Sequence, residues 1–250
     1  MAVPEAAQGI TAVVVTYNPD PARLAQLCQA VQPQVEHVVL VDNGSSAEAL
    51  AALQALVADP SSALTLLALG ENRGIGAAQN AGIALARERG SRYVLLLDHD
   101  SIPETGMVAT LRAAIENQPA GSTPVAAAGP RYADARQTTN PSPFVQLEGF
   151  KRVRCECRHA GQLIEVEHLI ASGSLIPMAV LDAVGDMDER LFIDYVDIEW
   201  CLRAAHAGYR MLGVCDARMQ HELGDTPIRF MGKHLPDHSP LRHYYLFRNA

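Results

Sequence analysis

The feature that most constrains this chain is an apolar run, Val94-Leu95-Leu96-Leu97, that ends abruptly in Asp98-His99-Asp100. Short and bounded by Gly90 and Pro103, it reads as a strand buried on both faces of a parallel sheet. In open sheets of that kind, ligands bind outside the carboxyl ends of the strands. Two carboxylates one residue apart at such an end repel each other unless a cation neutralises them. Oxygen ligands suit hard divalent ions such as Mg²⁺ and Mn²⁺, which bridge in turn to the phosphates of a nucleotide.

The rest of the first half fits that sheet. Strands are predicted at 10–16, 37–42, 64–69 and 92–98, alternating with helices at 22–31, 47–57 and 74–89. Strands alternating with helices imply right-handed βαβ units and a mainly parallel sheet flanked by helices. Regularity then weakens. A helix is expected at 103–117 and a strand at 125–130, followed by a polar, irregular stretch over 131–167 with strand-like pieces at 150–158 and 163–166. A core strand at 169–177, an amphipathic helix at 196–207 and short strands at 210–214 and 217–221 complete the pattern. With no repeat, low-complexity tract or linker in 250 residues, one domain is expected, which is enough chain for a sizeable core.

Hydrophobic residues make up 48% and charged residues 19%, an ordinary globular balance. The formal net charge of −8 argues against duplex nucleic acid, whose binding rests on clustered Lys and Arg. A small phosphorylated ligand stays possible, because a metal supplies positive charge locally. Residues 1–9 show neither a basic segment nor an apolar core of a signal peptide, and no stretch approaches the ~20 apolar residues of a membrane span. The five cysteines, at 28, 155, 157, 201 and 215, are an odd set without disulfide-framework spacing, which fits a reducing cytoplasm. Cys155 and Cys157 with His159 and His168 raise a zinc site, but at a spacing that matches no common one.

Several strand ends carry side chains suited to a nucleotide. Thr16-Tyr17-Asn18 closes the first strand, where Tyr17 is either a base-stacking ring or an ordinary buried aromatic. Asp42, in Val41-Asp42-Asn43-Gly44-Ser45, either accepts from a pyrimidine N3–H or a ribose hydroxyl, or forms an Asx turn with Gly44 at positive φ; the two are compatible. Asn72-Arg73-Gly74-Ile75-Gly76 is a glycine-rich turn at a helix N-terminus, a place that favours anions. It is neither a dinucleotide fingerprint nor a P-loop. Asn80 either touches ligand or braces that turn. Further on, Asp194, Asp197 and Glu199 open a helix. They are open to two readings, N-capping with a Glu199–Arg203 pair, or a general base within reach of an acceptor hydroxyl. His221 is either a structural histidine or a third metal ligand.

In their order and spacing, Val15-Thr16-Tyr17-Asn18, Val41-Asp42-Asn43-Gly44-Ser45, Asn72-Arg73-Gly74 with Asn80-Ala81-Gly82, Asp98-His99-Asp100 and Asp197-Ile198-Glu199 resemble the family 2 inverting glycosyltransferases. Leu97-Asp98-His99-Asp100-Ser101, Ala171-Ser172-Gly173-Ser174-Leu175-Ile176 and the stretch from Phe192 to Arg203 bring it nearest the bacterial rhamnosyltransferases. The resemblance implies an α/β GT-A fold, a Rossmann-like, mainly parallel sheet with a smaller acceptor-side β portion. It implies one domain over 1–250, with a nucleotide-sugar half at 1–130 and an acceptor and catalytic-base half at 131–250. Thr16, Tyr17 and Asp42 would hold the nucleoside, and Asn72 and Gly74 would line the cleft. Asp98 and Asp100 would carry Mg²⁺ or Mn²⁺, with Asp100 the more direct ligand and His221 a further metal or diphosphate contact. Asp197, ahead of Asp194, would be the general base. Arg248, in Arg242-His243-Tyr244-Tyr245 with Arg248-Asn249, would meet the diphosphate. The implied partners are a nucleotide-sugar donor, dTDP-rhamnose, and a glycan or lipid-linked acceptor in envelope polysaccharide or glycolipid synthesis. The implied place is the cytoplasm, with peripheral contact at the inner membrane face.

The chain departs from the family pattern where many relatives have Glu-Asp and it has Val196-Asp197. The supporting carboxylate is then missing or supplied by Asp194. The resemblance also implies a last helix longer than the residues up to Ala250 provide, which leaves room for an acceptor- or membrane-binding tail. Three rivals stand beside this expectation: a UDP-sugar donor, a nucleotide-sugar-binding protein that has lost transfer, and a dinucleotide oxidoreductase. The last lacks its G-x-G-x-x-G after the first strand.

Overall fold

The computed structural model describes residues 5–59, 62–133, 144–148, 151–221, 228–230, 233–235 and 240–250. The strands are β1 (Ile10–Thr16), β2 (His37–Asp42), β3 (Leu64–Ala68), β4 (Tyr93–Asp98), β5 (Ile102–Pro103), β6 (Val125–Ala133), β7 (Val145–Glu148), β8 (Lys151–Arg154), β9 (Leu163–Val166), β10 (Leu175–Pro177), β11 (Arg210–Gln220), β12 (Ile228–Phe230) and β13 (Lys233–Leu235). The helices are α1 (Pro21–Val31), α2 (Ala47–Leu56), α3 (Ile75–Glu88), α4 (Met107–Glu116), α5 (Met178–Val184), α6 (Val196–His206) and α7 (Pro240–Asn249).

One sheet in the order β3-β2-β1-β4-β10-β6-β11-β5 organises the chain, with β9 added on β11. Strands β3, β2, β1 and β4 run parallel, as do β6 and β11. Between these blocks β10 runs antiparallel to both neighbours. The register sets Thr16 opposite Asp42 and Val15 opposite Asp98, so three strand ends meet at one edge.

Period-two alternation sends neighbouring residues of the central strands to opposite faces. Val13, Val15, Leu96 and Val94 face a cluster with Ala78, Ile83 and Ala86 of α3 and Trp200 of α6. Ala12, Val14, Leu95 and Leu97 face the other cluster, with Leu24 and Leu27 of α1 and Val108 and Leu111 of α4. Burial on both sides explains why these strands read as apolar runs. Helix α3 lies unusually close to the sheet, since a Cβ on Gly82 would come 2.3 Å from Val13 Cγ1. That contact accounts for the glycine in Asn80-Ala81-Gly82.

The structure corrects four expectations. Pro103 does not open a helix; Ile102–Pro103 pairs with Met219 and Gln220 of β11, and the helix begins at Met107 after a left-handed Gly106. The 169–177 strand is cut to Leu175–Pro177, because left-handed Gly173 and the Ser174 to Ala171 hydrogen bond turn the chain around the end of β4. The two strands at 210–214 and 217–221 are one continuous β11 with a register shift between Val214 and Arg218. Finally, Cys157 and Cys215 form a disulfide across 58 residues. Sequence spacing missed it because Cys215 follows Val214, which pairs with Leu163 of β9 and so lies beside the chain entering that strand. Cysteine spacing therefore gives no argument for a reducing compartment, and Cys157 is not available to the zinc site raised with Cys155. Helix α5 had no counterpart among the expected elements.

Candidate functional site

The site is assembled at the carboxyl edge of the sheet. Asp98 ends β4, and its N–H donates to Ser172 Oγ at 3.0 Å. Ser172 Oγ lies 2.6 Å from Ser101 Oγ, which lies 2.8 Å from His221 Nδ1. His221 Nδ1 is also 3.2 Å from Asp100 Oδ1. Behind this row, Arg23 of α1 donates through Nη2 to the Asp100 carbonyl at 3.1 Å, fixing the turn after β4. One ligand atom each from Asp98, Asp100 and His221 falls within 4.8 Å of the others.

This group fits a hard divalent ion. Asp100 Oδ1 is buried, and beyond its 3.2 Å contact with His221 Nδ1 it makes no hydrogen bond among the described residues, a costly state for a carboxylate oxygen unless a cation faces it. Desolvation pushes the Asp98 carboxyl above its ordinary range, with Asp100 and Asp197 adding to the rise and His221 opposing it. Burial acts in the same direction on Asp100, but the hydrogen bond and charge of His221 outweigh it and hold that carboxyl below its ordinary range. Two carboxylates and an imidazole make a donor set suited to Mn²⁺ or Mg²⁺.

At the carboxyl ends of β1 and β2 the loops are tied together. The Asn18 N–H donates to Ser45 Oγ and the Ser46 N–H to Asn18 Oδ1, each at 2.8 Å. Buried Asp42 accepts from the Ser45 N–H at 3.2 Å, the expected Asx turn, and Thr16 Oγ1 lies 3.5 Å from its other oxygen. A carboxylate has about four acceptor positions, so the turn leaves Asp42 acceptor positions unused. Tyr17 is exposed at the mouth of the edge. Asn72 Oδ1 accepts from Asn43 Nδ2 at 3.1 Å and from the Gly74 N–H at 3.0 Å, so its side chain shapes the turn it sits in. A Cβ on left-handed Gly74 would come 2.7 Å from the Phe192 carbonyl oxygen, which itself accepts from the Ile75 N–H at 2.6 Å. Asn80 settles as a brace: it donates to the Met187 carbonyl and accepts from the Met187 N–H, each at 2.9 Å.

Asp197 lies in the first turn of α6, half-buried, and accepts from the Ile198 N–H at 2.9 Å. Desolvation raises its carboxyl above the ordinary range, against the pull of backbone N–H groups and of His168. Its field reaches Asp98 and Tyr132. A pocket lined by Pro130, Tyr132, Phe144, His168, Leu169 and Ser172 opens on this side, and the Tyr132 ring meets His221 edge-on at 5.9 Å. The other helix-opening acids are engaged elsewhere. Glu199 holds Arg203 at 2.8 Å, the expected pair, while Arg203 also donates to the Val184 and Asp186 carbonyls. Asp194 neither caps α6 nor stands free; it holds Arg242 of α7 at 3.0 Å. Arg248 donates to the Arg190 carbonyl and lies over the Tyr245 ring, and among the described residues no hydrogen bond or ion pair joins it to Asp98, Asp100 or His221.

With that geometry in hand, the likeness to known proteins is specific. Residues 11–162 match the model of the family described as glycosyl transferase family 2. The chain belongs to this family. It is 34% identical to the dTDP-rhamnosyl transferase RfbF of Shigella flexneri over 242 residues, 96% of this chain and 78% of that protein. In fold it is similar to GalNAc-T7 solved with UDP, GalNAc and Mn²⁺, at a TM-score of 0.71 and 16% identity, covering 95% of this chain and 46% of that one. S. aureus TarS (residues 1–349) in complex with UDP aligns at a TM-score of 0.59 and 16% identity, over 86% of this chain and 60% of the other. This chain thus spans less than two thirds of either solved structure, and the two share with it a mixed, flanked GT-A sheet.

The glycosyltransferase's motif residues were legible in sequence, but their supports were not. Ser101 and Ser172 stood only inside longer motifs, and Arg23 had no local signal, because it acts on a backbone carbonyl remote in the chain.

Proposed function

We propose that this glycosyltransferase moves L-rhamnose from dTDP-rhamnose to an acceptor hydroxyl with inversion at the anomeric carbon. The observation that carries the chemistry is the convergence of Asp98, Asp100 and His221 at the sheet edge with desolvated Asp197 beside them. The donor identity is supported by the 34% identity to a dTDP-rhamnosyl transferase over 96% of the chain.

Thr16, Tyr17 and Asp42 take the nucleoside, and the Asn72–Gly74 turn shapes the wall of its cleft. Asp98, Asp100 and His221 hold Mn²⁺ or Mg²⁺. When bound, such an ion supplies Lewis-acid stabilisation of charge on the leaving diphosphate. The acceptor, a glycan or lipid-linked hydroxyl, enters from the pocket of Tyr132, Phe144 and His168. As its oxygen attacks the anomeric carbon, the bond to the diphosphate breaks and the leaving oxygen keeps the electron pair. The acceptor proton passes to Asp197. Desolvation makes that carboxylate a better base than a solvated one.

Thermal denaturation with dTDP, UDP or GDP, each with and without Mn²⁺, tests the donor. At about a hundred times its Kd a nucleotide adds roughly 2.7 kcal/mol. The expected result is metal-dependent stabilisation by dTDP above UDP. A preference for UDP would move the donor to a UDP-sugar, and no response to any nucleotide would overturn the site.

A further inference from the structure

Tyr195, next to α6, and the two residues Phe192 and Asp194 before it all have positive φ without being glycine, at 64°, 64° and 60° respectively. Such a run does not hold its shape by local preference, since side-chain-bearing residues avoid this region. It also decides where Asp197 points, because Tyr195 is the residue from which α6 starts. Besides the Ile75 N–H on the Phe192 carbonyl, the groups that hold it come from α7. Asn249 of α7 directs its one amide nitrogen at the Leu191, Ile193 and Asp194 carbonyls, at 2.8, 2.9 and 3.2 Å. Arg242, two turns earlier on α7, grips the Asp194 carboxylate with Nε and Nη2 at 3.0 to 3.3 Å. Between them, Tyr245 stacks on Phe192 with ring centroids 4.7 Å apart and planes 16° from parallel.

The segment is therefore gripped at carbonyl, carboxylate and ring by one face of one helix. We propose that α7 is a positioning clamp for the catalytic base, with Asn249 and Arg242 as positioning residues that fix the 191–195 segment and through it the direction of Asp197. This rests on Asp197 being the base. The contacts described for Asn249, Arg242 and Tyr245 run to the 191–194 segment and not to Asp98, Asp100 or His221. Its loss leaves the donor site assembled and misdirects the group that takes the acceptor proton.

The test is steady-state transfer by the full chain, with enzyme concentration normalised to dTDP-binding sites. Asn249→Asp is nearly isosteric but turns donors into acceptors that face three carbonyls. We expect it to lower kcat at least tenfold, with dTDP affinity in the presence of Mn²⁺ and acceptor KM within about threefold. Arg242→Ala should do the same, and Arg242→Lys should restore most of the loss by keeping a cation on Asp194. Phe247→Ala, at an 85% exposed position of the same helix, should leave kcat unchanged. Reduced folded fraction with normal kcat per binding site in both clamp variants would overturn the proposal and make α7 a purely structural element. Should Asn249→Asp not fold, the Arg242 pair decides: a kcat that does not distinguish Ala from Lys overturns it. Asp197→Asn separates this from the parent reading. Turnover retained there sinks the base assignment, whereas turnover lost there with both clamp variants normal sinks only the clamp.

Discussion

The donor-side and base-side halves of the sheet edge are held in shape by different means. From β1 to β4 the strands end in register, and the loops beyond them are tied by neighbours across the edge, Asn18 with Ser45 and Asn43 with Asn72. Beyond β4 the chain turns at Gly173, shifts register in β11, closes a disulfide and enters α6 through left-handed residues. There supports come from farther away in sequence: Asn80 to the 187 backbone and Asn249 to the segment before α6. The difference matches two tasks. A nucleotide pocket repeats one rule at each strand end, whereas a base must be aimed at one atom, and aiming needs constraints from several directions.

Three changes sharpen this contrast. The largest effect is expected from Asp197→Asn. It should cut turnover by about 10² to 10⁴-fold, the usual worth of general base catalysis, with dTDP binding within a few-fold. Because burial already disfavours the charged carboxylate, the amide should keep or raise the melting temperature. A variant with near-normal turnover would remove Asp197 from the role. The donor side should break in the opposite manner. Gly82→Ala forces a methyl to within 2.3 Å of Val13 Cγ1 in a stiff, buried contact, and should cost about 1–3 kcal/mol of stability. Its kcat per folded molecule should stay near normal. A Gly82→Ala protein as stable as the parent, in urea titration, would show that α3 has room the packing denies.

The smallest effect is a pH dependence on the donor side, remote from the site. Burial, helped by Arg89 and opposed by Glu36, lowers the His37 pKa to about 4 from an ordinary 6.5. The folded protein thus binds fewer protons there than the unfolded chain. Its contribution to stability is present above pH 6.5 and is lost as pH falls toward 4. His37→Gln should flatten the stability profile in that window, and an unchanged slope would count against the shift.

The same contrast explains what could be read from sequence. β1, β2 and β9 match their predicted bounds, and β3 and β4 fall within one residue of theirs, because short apolar or alternating runs are local signals. The fold brings together Asp98, Asp100 and His221; the first two were raised from Asp98-His99-Asp100, and His221 from its place after a short strand as well as by family likeness. The Cys157–Cys215 link, the short β5 and the grip of Arg242 on Asp194 were not legible. Each joins residues whose nearness is created by the fold and leaves no periodicity behind. Ser172 illustrates the boundary: the residue sits in a recognisable motif, but its bond to the Asp98 N–H exists only because Gly173 turns the chain back.

Helix α3 opens at the glycine turn beside the donor cleft, and one turn later its Asn80 takes both hydrogen bonds of Met187, on the way to the base. Retooling such an enzyme for another sugar nucleotide by grafting a foreign donor turn would therefore alter two specificities at once. A graft that stops before Asn80 can change which nucleotide enters. If the proposed base side receives the acceptor, one that runs past it would also redraw the acceptor's approach, and donor and acceptor preference would be inherited together.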